Sequence, residues 1–187
     1  MTPPIPQRPM LAPDILRLLR PHILDGAAWS REDCHLGAGV RFDAAAIIGG
    51  EVHGFEVKSE ADSLARLTHA VPSQITTYSM VCDRVTLVAA PKHVARALAI
   101  VPPWWGVLRV TPVGLVCERI SERNPGDACV RLARLLWTNE ARPLARQHGV
   151  ARAGSLLRGD MTRALATLPE PALRAAVGAA IPRRPWR

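Results

Sequence analysis

Hydrophobic residues recur at helical spacing near the start of the chain and then give way to short runs. In APDILRLLRPHIL, leucine and isoleucine follow a possible cap at Asp14 at helical intervals, which predicts a helix that ends near Pro21–Asp25. From Trp29 to Ala90 the apolar runs are short and broken by glycines, which is typical of strands. Four runs are predicted strands: WSREDCHL, VRFDAAAII, EVHGFEVK and RVTLVAA.

A polar stretch of helical character separates the third run from the fourth. Ser59 and Asp62 form a plausible capping pair at its start, and Pro72 is expected to kink or split the helix before QITTYSMV. PKHVARALAIV begins with proline and predicts another helix, and GVLRVTP and GLVCERI predict a small hairpin. From Asp127 onward the predicted helices are DACVRLARLLW, NEARPLARQHGV, SLLRGDMTRALATL and EPALRAAVGAAI.

The predicted order is helix, three strands, helix, strand, helix, hairpin and then a series of helices. This order predicts an α/β fold with a mixed central sheet. We expect a disordered leader at 1–10, a core domain at 11–120 and a helical C-terminal extension at 127–187. A chain of 187 residues is long enough to bury a hydrophobic core in one domain of this kind.

The positive charge of the chain is carried almost wholly by arginine, since Lys58 and Lys92 are its only lysines. A net charge of +8 and a pI of about 10.6 favour polyanionic partners such as nucleic acid. No apolar run approaches the ~20 residues of a membrane-spanning helix. The start MTPPIPQRPM is unlike a signal peptide and the four cysteines are widely spaced, so we expect a cytoplasmic protein with free thiols.

The hairpin predicted at Gly49–Gly50 determines how two of the strands are paired. A two-residue loop requires Ile48 to pair with Glu51. Counting back along both strands then places Asp43 directly opposite Glu56.

The same count assigns side chains to the two faces of the sheet. Arg41 is expected opposite Lys58, and strand alternation puts Asp43, Glu56 and Lys58 on one face. The residues expected on the other face are Phe42, Phe55 and Val57.

Two carboxylates on directly opposed strand positions, ~5 Å apart at Cβ, repel each other. Either a hard divalent cation such as Mg²⁺ relieves the repulsion, or one acid keeps its proton. Lys58 adds a compact charge on the same face. The competing interpretation is a solvated sheet face with a surface ion pair worth less than ~1 kcal/mol. The apolar residues around both acids favour the first interpretation.

Glu32 is a possible third acid. If Gly37–Ala38 forms the preceding turn, Glu32 falls opposite Asp43 and joins the candidate metal ligands. If the turn includes Gly39, a one-residue slip points Glu32 to the other face. We favour the first register.

The stretches VRFD, GFEVK and QITTY together resemble the PD-(D/E)-x-K nuclease superfamily, in the RecB-like branch that adds a Q-x-x-x-Y motif on the following helix. The resemblance covers residues 11–112 and implies a restriction-endonuclease-like αβββαβ core. The sequence departs from the motif in lacking a proline before Asp43 and in having Pro72 close to Gln74.

The resemblance also implies roles for particular residues. Asp43, Glu56 and the backbone carbonyl of Val57 would bind Mg²⁺ or Mn²⁺, and Lys58 would be the motif lysine. Gln74 and Tyr78, four residues apart on one side of a helix, would line the site or hold the DNA strand.

The function expected from these residues is metal-dependent hydrolysis of DNA phosphodiester bonds by metal-activated water. One alternative is a nucleic-acid-binding or partner-docking module that keeps the same fold without turnover. A third possibility is an interaction protein with no affinity for nucleic acid. The sequence leaves the oligomeric state open, with a homodimer as one possibility.

Overall fold

A computed structural model describes residues 9–24, 26–37, 39–69 and 71–186, and within these ranges helices flank a six-stranded sheet. The strands are β1 Ala27–Gly37, β2 Val40–Ile48, β3 Glu51–Lys58, β4 Arg84–Ala89, β5 Gly106–Thr111 and β6 Gly114–Arg119. The helices are α1 Ala12–Leu24, α2 Ala65–Thr68, α3 Gln74–Ser79, α4 Pro91–Ile100, α5 Ala128–Leu135, α6 Thr138–Gln147, α7 Arg158–Leu165 and α8 Glu170–Ala180, with a 3-10 turn at Ile181–Arg183. The α/β class is confirmed. Of the expected leader, residues 1–8 lie outside the described residues.

The strands lie side by side in chain order. β1, β2 and β3 form an antiparallel meander, β3, β4 and β5 are parallel, and β6 returns antiparallel to β5. Ile48 pairs with Glu51 as predicted. Gly49 and Gly50 have φ values of 57° and 78°, which a two-residue hairpin loop requires and glycine adopts without strain.

Helix α1 covers one face of the sheet. Its buried side chains Ile15, Leu19 and Ile23 are spaced four residues apart and form one stripe. The residues beneath them come from the middle of the sheet: Ala44, Ala46, Phe55, Val57, Val88 and Val110. Full burial of each isoleucine or leucine side chain in this stripe stabilises the fold by roughly 1.5–3 kcal/mol.

Helix α3 and the C-terminal helices cover the opposite face. Phe42, Leu87 and Val107 of the sheet belong to one hydrophobic cluster with Leu132 of α5 and Leu173 of α8. The C-terminal helices therefore share the core of the sheet. Within the described ranges, no helix combines the length and apolar character needed to cross a membrane.

Asp83, just before β4, fastens α5 and α8 to the sheet. Its carboxylate accepts hydrogen bonds from Val52 N at 2.9 Å, from Arg174 at 2.9 and 3.0 Å, and from Arg131 at 3.3 Å. Burial acts to raise the pKa of Asp83, but the hydrogen bonds and charges of these partners outweigh burial and leave the pKa below its ordinary value. This acid is a charged structural link.

One expectation about side-chain direction was wrong, because β1 and β2 are irregular where Asp33 and Asp43 would pair. Asp33 has a φ of 46°, and neither residue is part of the strand pairing. Beyond this irregularity Phe42 lies on the face away from α1. Its ring packs against Tyr78 with 4.3 Å between the centroids.

The segment after β3 begins with a turn. The backbone N and Oγ of Ser59 donate to Asp62 Oδ2 at 2.8 and 2.5 Å. These bonds do not cap the helix, because α2 begins only at Ala65. Pro72 separates α2 from α3, as expected for a residue without an N–H, and Ser73 caps α3 through its side chain.

Candidate active site

The acids predicted to face each other lie just beyond the end of the β2–β3 pairing. That pairing stops one position before Asp43 and Glu56. The predicted pair of Arg41 and Lys58 is likewise not part of it. Asp43 nevertheless reaches β3 with its side chain, because the backbone N–H of Val57 donates to Asp43 Oδ2 at 2.7 Å.

Helix α3 supplies the remaining predicted residues. Gln74 is its first residue and Tyr78 follows one turn later on the same side. Both side chains contact Glu56. The structure thus brings five predicted residues together in one cluster: Asp43, Glu56, Lys58, Gln74 and Tyr78.

Glu56 lies at the centre of the cluster and is only 3% exposed. Its Oε1 lies 2.6 Å from Lys58 Nζ and accepts a hydrogen bond from Gln74 Nε2 at 2.8 Å. Its Oε2 accepts a short hydrogen bond from the hydroxyl of Tyr78. Lys58 Nζ also donates to Gln74 Oε1 at 3.2 Å. These partners offset the cost of burying the carboxylate.

The ring of Tyr78 lies between Phe42 and Trp105, with centroid distances of 4.3 and 5.9 Å. Its hydroxyl oxygen is also 3.0 Å from the carbonyl oxygen of Arg41, so one hydrogen serves two acceptors. Burial and the charge of Glu56 hold the pKa of Tyr78 far above its ordinary value. Tyr78 is therefore a neutral donor to Glu56.

The position of Phe42, and through it Tyr78, depends on Gly54 of β3. A Cβ atom at Gly54 would lie 2.6 Å from Phe42 Cε1 and 2.9 Å from Cys82 Sγ, which is too close for either contact. Glycine at this position lets the ring of Phe42 lie directly against the β3 backbone.

Asp43 has fewer partners than Glu56. The Val57 N–H binds its Oδ2, and no donor in the described part of the chain binds Oδ1. Burial, together with the charge of Glu56, raises the pKa of Asp43 to about 6, against the opposing effects of Val57 and Lys58. Asp43 therefore adds to the cluster a second acid, and the charge of its ionised form is poorly compensated.

Asp62 adjoins the cluster but was predicted only as a capping residue. Its charge acts on both Asp43 and Lys58. Burial acts to raise the pKa of Asp62, but the two hydrogen bonds from Ser59 and the charges of Lys58 and His93 together outweigh burial, and the pKa lies below its ordinary value. The signal that could have found Asp62 is its place in a tight turn directly after Lys58.

Glu32 is not part of the cluster. It lies opposite Ala44, because the β1–β2 turn includes Gly39, so the favoured register was wrong. The carboxylate of Glu32 instead accepts hydrogen bonds from Arg20 of α1 at 2.6 and 3.1 Å. This contact belongs to the α1 side of the sheet.

A family model described as Bacteriophage P4 protein cII matches residues 37–180, which is more than half of the chain. The chain belongs to the bacteriophage P4 protein cII family. No curated protein matches it. It is similar to the solved structure of a protein of unknown function from Silicibacter pomeroyi, with 24% identity, a TM-score of 0.45, and coverage of 78% of this chain and 94% of that chain.

The segment matched by the P4 protein cII family runs from the end of β1 to the end of α8. It includes every residue of the cluster together with the C-terminal helices. Glu32 and its partner Arg20 lie outside it. The cluster and the helices behind it are thus both within the family's shared region.

The donor set of this P4 protein cII family member fits a hard divalent cation with an incomplete protein shell. Mg²⁺ commonly takes one or two carboxylates and completes its shell with water and phosphate oxygens. Asp43 and Glu56 supply two carboxylates, and Asp43 Oδ1 has no other bond from the described residues. The described residues contain no group of three or more His, Cys, Asp or Glu placed to hold a metal. The fit therefore depends on ligands from outside the chain.

Proposed function

We propose that this protein is a metal-dependent nuclease that hydrolyses DNA phosphodiester bonds. The observation that carries the proposal is the convergence of two acids, a lysine, a glutamine and a tyrosine from three separate elements into one cluster around the buried Glu56. Burial and, after it, the charge of Glu56 raise the pKa of Asp43, and a bound cation would stabilise the ionised form of this acid. The resemblance to PD-(D/E)-x-K nucleases supports the same proposal.

In this proposal Asp43, Glu56 and the carbonyl of Val57 hold Mg²⁺ or Mn²⁺. When bound, the metal would lower the pKa of a water molecule and neutralise charge on the phosphate. Lys58 places an ammonium beside Glu56, where it can donate to a phosphate oxygen and stabilise the negative charge that develops during hydrolysis. Gln74 and Tyr78 act on Glu56, whose carboxylate they orient.

Composition and cysteine chemistry support a DNA substrate and a cytoplasmic setting. The net charge of +8 favours phosphate contacts. All four cysteines are free thiols, as expected in a reducing compartment: Cys34, Cys82, Cys117 and Cys129.

One observation favours the alternative of a catalytically silent binding module on the same fold. Both oxygens of Glu56 already have partners, and Lys58, only 5% exposed, lies in a close ion pair with it. The ammonium therefore occupies one side of the carboxylate that a metal would use. A silent module would bind nucleic acid and leave this ion pair undisturbed.

The deciding experiment is cleavage of plasmid and single-stranded DNA with Mg²⁺ or Mn²⁺, with the wild type compared with Asp43→Ala, Glu56→Ala and Lys58→Ala. We expect the wild type to cleave and each variant to lose cleavage while circular dichroism shows a retained fold. Glu32→Ala is the matched control, because Glu32 is an acid outside the cluster, and it should cleave like the wild type.

The other outcomes separate the alternatives. Equal cleavage by all variants would refute the site. Salt-sensitive DNA binding without cleavage in any metal would support the silent module. Absence of a DNA shift even at low salt would support an interaction protein without nucleic-acid affinity.

A further inference from the structure

A cavity of about 510 Å³ opens between the β1–β2 hairpin and the C-terminal helices. The described residues that line it are His35, Gly37, Gly39, Trp137 and Arg158. His35 and Arg158 are exposed, and Trp137 is half-buried. This lining offers two side chains that can donate to phosphate and one indole ring, and it contains no carboxylate.

The charge of Arg158 is not neutralised by a described acid. Its Nη2 donates to the carbonyl oxygen of Arg134 at 3.0 Å, which anchors the guanidinium and leaves its other N–H groups for a ligand. Arg163, on the same helix, is by contrast paired with Asp160. Positive charge that is held in place and uncompensated complements a phosphate.

Trp137 is held rigidly at the cavity. The guanidinium of Arg184 lies 4.6 Å from the centroid of the Trp137 ring and is paired with Glu140 at 2.7 Å. The ring of Trp186 packs edge-on against Trp137 at 6.3 Å. A rigid, partly exposed indole next to positive charge is the kind of platform on which unpaired bases stack.

The β1–β2 hairpin contributes to both the cavity and the active-site cluster, because Gly37 and Gly39 line the cavity and Asp43 belongs to the cluster. Leu36 and Phe42, on either side of the β1–β2 turn, share one hydrophobic cluster with Tyr78 of the candidate site. From Gly39 to Asp43 the chain advances four strand residues, roughly 13 Å at 3.3 Å per residue. A nucleic-acid strand at Asp43 therefore has a neighbouring segment within reach of the cavity.

We propose that this cavity is a subsite for single-stranded DNA beside the candidate active site, where His35 and Arg158 contact phosphates and a base stacks on Trp137. The assignment of DNA as the ligand rests on the proposed function, whereas the presence of the cavity is independent of it. A base can stack on a side chain only when it has left its own stack, so the subsite favours a single strand over an intact duplex.

The first test measures binding of a fluorescent oligo-dT to the full chain carrying Asp43→Asn, without metal and over a range of salt concentrations. Arg158→Gln should weaken binding several-fold and reduce the slope of log affinity against log salt by about 0.7, the contribution of one lost phosphate contact on a single strand. Arg163→Gln is the matched control, because it removes the same charge from the same helix outside the cavity. It should change neither quantity.

The second test addresses base stacking. Trp137→Leu should weaken binding of oligo-dT about fivefold or more and leave binding of an abasic oligomer of equal length unchanged. Thermal unfolding of the variant shows whether the packing against Arg184 survives. Even if that packing is lost, the comparison of the Arg158→Gln and Arg163→Gln variants still tests the subsite.

The outcomes distinguish this subsite from the nuclease proposal. Equal effects of the Arg158 and Arg163 substitutions overturn the subsite, as does duplex binding tighter than single-strand binding. If the wild type and the Arg158→Gln variant cleave DNA equally and bind oligo-dT equally, the subsite is refuted and the proposed active site stands. Loss of binding only in the Arg158 variant, with no cleavage by any protein, keeps the subsite and removes the nuclease.

Discussion

Asp83 and Asp43 are two acids in the same core with opposite electrostatic behaviour. Asp83 accepts hydrogen bonds from two arginines and a backbone amide, and its pKa is lowered. Asp43 accepts one hydrogen bond from a backbone amide, and its pKa is raised to about 6 beside Glu56. Burial acts in the same direction on both acids. The number and charge of the partners therefore decide which acid is structural and which remains available for chemistry.

The cations beside the two acidic groups also differ. Arginine supplies forked hydrogen bonds to Asp83, whereas the compact ammonium of Lys58 contacts Glu56. A bidentate arginine fixes a carboxylate in one geometry. In the proposed nuclease, a lysine on a flexible stem would move to a phosphate when substrate binds, whereas the arginine contacts of Asp83 would stay fixed.

The largest expected effect is on stability at Asp83. Asp83→Asn leaves the buried guanidinium of Arg131 without its counter-charge, so we expect the free energy of unfolding to fall by about 3–5 kcal/mol. At neutral pH Asp43→Asn should not lower it and should raise it by up to about 3 kcal/mol, because the asparagine oxygen still accepts from Val57 N and the buried charge is removed. Urea denaturation measures the free energy of unfolding of both variants. Equal losses would remove the distinction between the two acids.

The second effect is the pH dependence that Asp43 contributes. Its pKa is about 6 in the folded protein against an ordinary value of 3.8, so between these pH values the folded state binds more protons than the unfolded state. The free energy of unfolding should therefore fall as pH rises from about 4 to 6, by at most about 3 kcal/mol and by less where solvent screens the partly exposed acid.

The pH dependence of stability that Asp83 contributes has the opposite sign. Its lowered pKa contributes stability at pH values above the ordinary pKa of an aspartic acid. This contribution is lost as the pH falls through the folded-state pKa. Urea denaturation between pH 3 and 7 separates the two acids. Asp43→Asn should flatten the profile between pH 4 and 6 and leave the acid limb intact. An unaltered slope in that variant would contradict the raised pKa.

A smaller effect is expected from the hydroxyl of Tyr78. Tyr78→Phe keeps the ring between Phe42 and Trp105 but leaves Glu56 Oε2 without its donor. We expect a loss of about 1–3 kcal/mol in the free energy of unfolding, measured by denaturation at neutral pH. Stability equal to that of the wild type would mean that the hydroxyl does not hold Glu56 in place.

The smallest effect is expected at Glu32. Its ion pair with Arg20 is largely solvent-exposed, so Glu32→Gln should leave the free energy of unfolding close to that of the wild type. Cleavage and metal-dependent thermal stabilisation should remain at wild-type levels. A loss of either in Glu32→Gln would return this residue to the site.

Local rules were enough to predict the parts of the cluster that depend on nearby residues. The loop at Gly49–Gly50 determined the β2–β3 register because only one two-residue turn is compatible with the flanking strands. Helical periodicity placed Gln74 and Tyr78 on one side of α3. The hairpin rule brought the two acids and the amine together, whereas the placement of Gln74 and Tyr78 at the site came from the resemblance to the PD-(D/E)-x-K nucleases.

The features that were not predicted depend on irregular backbone or on distant parts of the chain. The irregularity at Asp33 turned Phe42 to the other face, and the turn at Gly39 shifted Glu32 by one position. The role of Asp83 requires Arg174, which is 91 residues away in the chain. No local pattern specifies a contact over that distance.

The absence of a side chain at Gly54 limits how this site can vary. Even a methyl group there would displace Phe42, and the tyrosine hydroxyl would move away from Glu56. A saturation-mutagenesis library should therefore tolerate substitution at position 54 as poorly as at the acids, although glycine has no group that can touch a substrate. Empty space, as much as reactive chemistry, defines which sequences can build this centre.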